Sequence, residues 1–131
     1  MEDTIFGQIV RGEAPAYKVY EDKDTLAFLN IHPDSVGHTL VIPKVAARNI
    51  FDVDADTFTK VMQTVHDLAP KLRDALGASG MRIVINNEAE AGQVVFHIHV
   101  HLIPFYKNHA AEIPDGESLE EVATRITASL T

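Results

Sequence analysis

Cysteine is absent from the 131-residue sequence, so it can form neither a disulfide nor a thiolate zinc ribbon, and a reducing cytoplasm suits it. Long hydrophobic runs are absent too. No apolar stretch approaches the roughly 20 residues needed to cross a bilayer as a helix, so no membrane partner is expected. The opening residues MEDTIFGQIVRGE carry acid where a secretory signal carries positive charge, so export by that route is not expected. Positive charge is scarce: 11 Lys and Arg stand against 19 Asp and Glu, a formal net charge of -8. A long nucleic acid needs its phosphates neutralised along a basic stripe, and the sequence offers none. A small phosphorylated ligand stays open, because a few local donors can hold one phosphate against an acidic background. Repeats, low-complexity segments and linkers are also missing, and the length suits a single domain over 1–131 with a core of its own.

Hydrophobic spacing predicts the elements. Asp3 is placed to cap a short helix bearing Ile5, Phe6, Ile9 and Val10, which Gly12 ends. Residues 17–22 and 25–31 read as strands around the polar turn Asp22-Lys23-Asp24, and 38–43 form a third after a loop at 32–37. A long helix follows, capped by Asp54 or Asp56, with Phe58, Val61, Met62, Val65, Leu68, Leu72 and Leu76 at helical spacing. Pro70 inside that pattern should kink or break it. Gly77 and Gly80 close the segment. Residues 81–86 form a fourth strand, 87–93 a loop, and 94–103 a fifth strand ended by Pro104. Ser118 and Glu121 make a capping box before a short amphipathic helix with Leu119, Val122, Ile126 and Leu130. The sum is an α+β fold of about five antiparallel strands, with the long helix over one face.

Chemistry concentrates in His97-Ile98-His99-Val100-His101-Leu102-Ile103. Alternation along a strand puts the three histidines on one face and Ile98, Val100 and Leu102 in the core. Three readings compete. One is a solvated strand face, where Thr, Ser or Lys would serve as well. Another is a metal site, since His-x-His can give two nitrogens to one zinc. Three alternating rings span far for one ion, and no Asp, Glu or Cys lies nearby in sequence to complete the shell. The third is nucleophilic catalysis: an imidazole nitrogen can attack phosphorus if its other nitrogen is held as a donor.

Residues 97–103 match the His-φ-His-φ-His-φ-φ signature (φ apolar) of the histidine triad (HIT) family at every position. Residues 3–13 (DTIFGQIVRGE), 27–31 (AFLNI), 37–44 (GHTLVIPK), 85–86 (IN) and 91–104 (AGQVVFHIHVHLIP) resemble further family segments in order and spacing. The sequence is identified as a member, most similar to the Hint-like nucleoside phosphoramidate hydrolases and their bacterial relatives. The resemblance implies a HIT-like core over about 3–106, a tail with a short helix at 107–131, and a homodimer that joins two sheets. It implies a hydrolase or transferase acting on purine nucleoside phosphoramidates, acyl-nucleotides or dinucleoside polyphosphates, without metal or cofactor. A nucleotide-binding regulatory module with weak turnover is the alternative.

By the same resemblance His99 is the nucleophile that forms a nucleotidyl-histidine. The His97 carbonyl accepts from its Nδ1–H, His101 binds phosphate and assists the leaving group, and His38 supports the cluster. Asn30 matches a ribose-binding position. Phe6, Ile9, Phe28 and Ile31 match apolar walls of a base pocket, though each is also an ordinary core residue. Asn86 and Gln93 match polar groups near the phosphate, and Gly92 lets backbone N–H groups approach it. Three positions depart from the family. Val94 stands where many relatives have Ser or Thr, keeping only its backbone N–H; Asn30 replaces a common aspartate; Ala46 replaces a histidine on what reads as surface. His32, His66 and His109 are weaker candidates, read as loop or solvated residues, and Lys107 and the tail after it are within conceivable reach of a substrate.

Overall fold

The computed structural model describes residues 3–107 and 118–130, so the expectations for His109 and for the tail at 108–117 lie outside the described residues. Helix α1 (Ile5–Val10) is capped by Thr4 rather than Asp3: Thr4 Oγ1 accepts from the Gly7 N–H at 3.1 Å. Asp3 is engaged elsewhere, in an ion pair with Arg11 at 2.8 Å, so the cap falls one residue later. Strands β1 (Lys18–Glu21), β2 (Thr25–Leu29), β3 (Thr39–Pro43), β4 (Gly80–Ile85) and β5 (Val100–Phe105) form one sheet in the order β1-β2-β3-β5-β4, with antiparallel neighbours throughout. The turn between β1 and β2 is an Asx turn. Asp22 Oδ1 accepts from the N–H groups of Asp24 and Thr25 at 2.8 and 2.7 Å.

Helix α2 (Ala55–Leu76) starts at Asp54, whose Oδ1 accepts from the Thr57 N–H at 2.7 Å, and ends at left-handed Gly77. It runs unbroken through Pro70, contrary to the expected break. Pro70 and His66 both lie on the solvent face, so the His66 carbonyl that loses its helical donor can turn to water instead. Gly80 does not close the helix; it opens β4 opposite Phe105.

The fifth strand departs furthest from expectation. It starts at Val100, not at residue 94, and runs through Pro104 instead of ending there. Residues before it leave the ladder because the Ile98 N–H donates to the Ala47 carbonyl at 2.8 Å, tying them to the segment after β3. Pro104 is tolerated because its carbonyl accepts from Ser35 Oγ at 2.7 Å. The N–H and C=O of a strand residue point the same way, so the donor that proline lacks faces that loop and not β4.

Alternation sorts the sheet into two apolar layers. Ala27, Leu29, Val41, Val100 and Leu102 meet α2 through Val61, Val65, Leu68 and Leu72, and meet helix α3 (Leu119–Ser129) through Val122 and Ile126. Leu26, Phe28, Leu40 and Ile42 face the other way and pack under Phe6 and Ile9 of α1. Half of the expected capping box forms at α3: Ser118 Oγ accepts from the Glu121 N–H at 3.1 Å, while the Glu121 carboxylate takes the Ser118 hydroxyl at 3.4 Å instead of the Ser118 N–H. Among the described residues no helix is long and apolar enough to cross a membrane.

Gly37 closes the loop that delivers His38 to β3. Its φ is +85°, and a Cβ there would lie 2.3 Å from Leu76 Cδ1. Gly12 has a similar φ of +76° but open space around it. Gly12→Ala is therefore expected to lose roughly 1–2 kcal/mol for the left-handed backbone alone. Gly37→Ala should lose more, a difference that urea unfolding of the two variants measures; equal losses would show that the Leu76 contact does not constrain the loop.

Candidate active site

The two-layer sheet leaves the imidazoles on the α1 face. His101 lies opposite Leu40 in the ladder, and Leu40 belongs to the layer under α1. Phe6 stands edge-on to the His99 ring, with centroids 5.0 Å and planes 90° apart, and its centroid is 6.4 Å from that of His97. The His99 and His101 rings are 4.9 Å apart, and His101 and His38 are 5.2 Å apart. His97 and His99 precede β5, yet the alternation carries through: Ile98, Val100 and Leu102 are fully buried on the other side. The rings are no solvated ridge, for His97, His99 and His38 are all buried.

Backbone groups set each ring's proton. His99 Nδ1 lies 2.8 Å from the His97 carbonyl, and His97 Nε2 lies 2.8 Å from the Pro43 carbonyl. A carbonyl can only accept, so both of those ring nitrogens are N–H donors. Asp34 N–H donates to His38 Nδ1 at 3.0 Å, which leaves the proton of neutral His38 on Nε2. That Nε2 is 2.9 Å from His101 Nδ1, so His101 accepts there and carries its own proton on Nε2. The outcome is an opposed pair: His99 has a bare Nε2, and His101 has an Nε2–H. No buried side-chain nitrogen or oxygen among the described residues lacks a partner, so His99 Nε2, which makes no hydrogen bond, opens to solvent.

Burial keeps the cluster neutral. It pushes His99 down to about 4, helped by the neighbouring His101 and His97 rings and opposed by the bond to the His97 carbonyl. Burial also lowers His97, His101 and His38. A neutral His99 ring with an unprotonated Nε2 is thereby available at neutral pH.

The other expected site residues divide. Asn30 is joined to the cluster, since its N–H donates to the His38 carbonyl at 2.9 Å, while its Oδ1 accepts from the His32 N–H. Gly92 adopts φ +96°, and a Cβ added there would meet the Asn86 side chain at 3.8 Å, so these two adjoin. Phe6, Ile9 and Phe28 are core residues of the α1 layer, whereas Ile31 lies past the end of β2 and is 62% exposed. Gln93 corrects expectation: its side chain is fully used inside the protein. Nε2 donates to the carbonyls of Arg48 and Val95, and Oε1 accepts from Asn49 Nδ2 and the Glu88 N–H. Four bonds saturate an amide, leaving none for a phosphate. Val94 is 84% exposed. His66 and His32 are exposed as expected.

The comparisons with known proteins show the family. The pattern of the HIT domain matches residues 11–108. The chain belongs to the HIT family. This HIT protein is 36% identical to protein hit of Bacillus subtilis (strain 168), over 98% of its own length and 95% of that relative's. It is 36% identical to the adenylylsulfatase HINT3 of Arabidopsis thaliana, over 78% of this chain but 52% of that one. Among solved structures, a HIT-like protein from Bartonella henselae superposes with a TM-score of 0.88 at 40% identity, covering 97% of this chain and 96% of that one. A zinc-bound histidine triad protein from Mycobacterium smegmatis gives 0.87 at 35% identity, over 96% and 91%. These relationships place the HIT protein in a fold of nucleotide-binding hydrolases and transferases. Among its own described residues no group of three His, Cys, Asp or Glu is arranged to hold a metal ion.

Pro43 and Ala47 were not legible as site residues, because each acts through its backbone carbonyl; Asp34 acts through its N–H on the His38 ring and through its charge, which raises His38 and His101 against the lowering by burial. Arg48 and Glu88 were missed as well; the only signal was their opposite charge, 40 residues apart.

The depressed rings carry a pH signature. A histidine buried neutral adds stability above its ordinary value of 6.5, and that contribution is lost as pH falls through its folded value, about 4 for His99. Denaturant unfolding is therefore expected to show stability falling between those limits, with a shallower fall in His99→Asn. Parallel curves for the two proteins would show that His99 is not held neutral by burial.

Proposed function

We propose that this HIT protein hydrolyses or transfers nucleotidyl groups through an intermediate on His99. The single observation that carries the reading is the bare, solvent-open Nε2 of a neutral His99 whose Nδ1–H is held by the His97 carbonyl. That lone pair attacks the α-phosphorus, the P–Nε2 bond forms, and the bond to the leaving group breaks; water then cleaves the P–N bond. The attacking His99 ring becomes cationic, and the His97 carbonyl bonded to its Nδ1–H stabilises that charge. His101 presents its Nε2–H to a phosphate or leaving-group oxygen, with His38 holding it in that tautomer.

The substrates best suited are purine nucleoside phosphoramidates, acyl-nucleotides and dinucleoside polyphosphates. A relative named adenylylsulfatase supports an adenylyl group at the site. Asn30, with Oδ1 held by His32, has its amide nitrogen to offer a ribose hydroxyl. Phe6 and Phe28 stand behind the base, and Ile31 forms the open wall. The sheet ends at β4, where Ile83 is exposed, and a second copy joined along that strand would make the homodimer.

A second reading, a nucleotide-binding regulatory module with weak turnover, is favoured by Val94, which brings no hydroxyl to the leaving group.

Hydrolysis of an adenosine phosphoramidate separates these readings. The wild type should turn over, His99→Ala should be slower by at least about 10³-fold, and mass spectrometry of quenched wild type should show a nucleotidyl adduct absent from the variant. Equal rates remove His99 as nucleophile, and nucleotide binding without turnover supports the regulatory reading. Chelator-treated protein is expected to keep its rate; loss of activity restored by zinc would favour a metal site instead.

A further inference from the structure

Glu88 is held in a conformation that ordinary residues avoid. Its φ is 78° and its ψ 159°, a region occupied essentially by glycine, and it is the one non-glycine residue with positive φ among those described. Strain of that kind persists only where the surroundings impose it, and here the restraints are explicit. Arg48 Nε and Nη2 grip the two carboxylate oxygens, each at 2.9 Å, and Asn49 Nδ2 adds a third bond. The Glu88 N–H donates to Gln93 Oε1 at 2.8 Å, and its carbonyl accepts from the N–H groups of Ala91 and Gln93. The same Arg48 guanidinium lies over the Phe96 ring, 4.2 Å from its centroid, next to His97. Ala47, one residue before Arg48, takes the Ile98 N–H that sits between His97 and His99.

We infer that Glu88 is a positioning residue for the reaction assigned to His99: its grip on Arg48 and Asn49 fixes the backbone of residues 93–99, and with it the direction of His99 Nε2. The inference rests on the proposed function for its kinetic consequence but not for its structural one. The clamp holds the attacking ring and not the nucleotide, so its loss lowers kcat and leaves KM nearly unchanged. The grip of Arg48, helped by the bond from Asn49, holds the Glu88 carboxylate down to about 2, so the clamp is charged at neutral pH.

Glu88→Gly tests this without endangering the fold, because glycine relieves the backbone while removing the clamp. Its melting temperature should match or exceed that of Glu88→Ala, which keeps the strain and loses the carboxylate. Its kcat should fall roughly tenfold or more with KM within about twofold, and Glu88→Gln, keeping one acceptor, should recover part of the rate. Amide hydrogen exchange of residues 93–99 should quicken in Glu88→Gly without any substrate, a readout independent of whether the wild type turns over. Unchanged exchange in that segment overturns the inference, even if the rate falls, because the effect then does not pass through the triad backbone. Where the wild type turns over, an unchanged kcat in Glu88→Gly overturns it too.

Discussion

The structure depends on one hydrogen bond, from His99 Nδ1–H to the carbonyl of His97, two residues earlier in the same chain. In water an imidazole exchanges tautomers freely, and neither nitrogen is reserved for attack. A carbonyl acceptor at Nδ1 ends that freedom, because only the tautomer with its proton there makes the bond. Burial supplies the other half of the constraint by keeping the ring uncharged. Each condition is insufficient alone: a buried ring with the wrong tautomer cannot attack, and a protonated ring has no lone pair.

The fold serves that bond by interrupting a strand. Had residues 94–99 continued the β5 ladder, the His97 carbonyl would have faced a neighbouring strand. Instead the segment is carried across to residues 43–48, where Pro43 receives the His97 ring, Ala47 the Ile98 N–H, and Arg48 the Gln93 amide. The sheet resumes at Val100, just in time to place His101 beside His38. Hydrophobic alternation persists through the interruption, so the core on the α2 side and the imidazoles on the α1 side are sorted by the same period of two.

That persistence explains what the sequence makes legible. The α+β class, the antiparallel sheet, the long helix and the face shared by the histidines follow from spacing, and spacing survives a break in the ladder. The break itself leaves no mark, because it is caused by backbone groups at Pro43 and Ala47 that no side-chain pattern records. Pro70 and Pro104 mislead for a related reason. Proline's penalty falls on the acceptor that loses its donor: at Pro104 the missing N–H faces the Ser35 loop and not β4, and at Pro70 the His66 carbonyl left without its helical donor lies on the solvent face. Thr4 displaces Asp3 as a cap because Arg11, eight residues after Asp3, claims the carboxylate. Gln93 is the sharpest lesson at the site: a polar residue beside the triad reads as a phosphate contact, but its four internal bonds make it a fastening between two loops.

The tautomer of His99 is open to observation without substrate or mutation. A nitrogen–proton correlation spectrum of the imidazole side chains, recorded on the unliganded protein near neutral pH, should show His99 as a neutral ring with its proton on Nδ1 and an unprotonated Nε2. A proton on Nε2, or a doubly protonated ring, would contradict the reading of His99 as a held nucleophile.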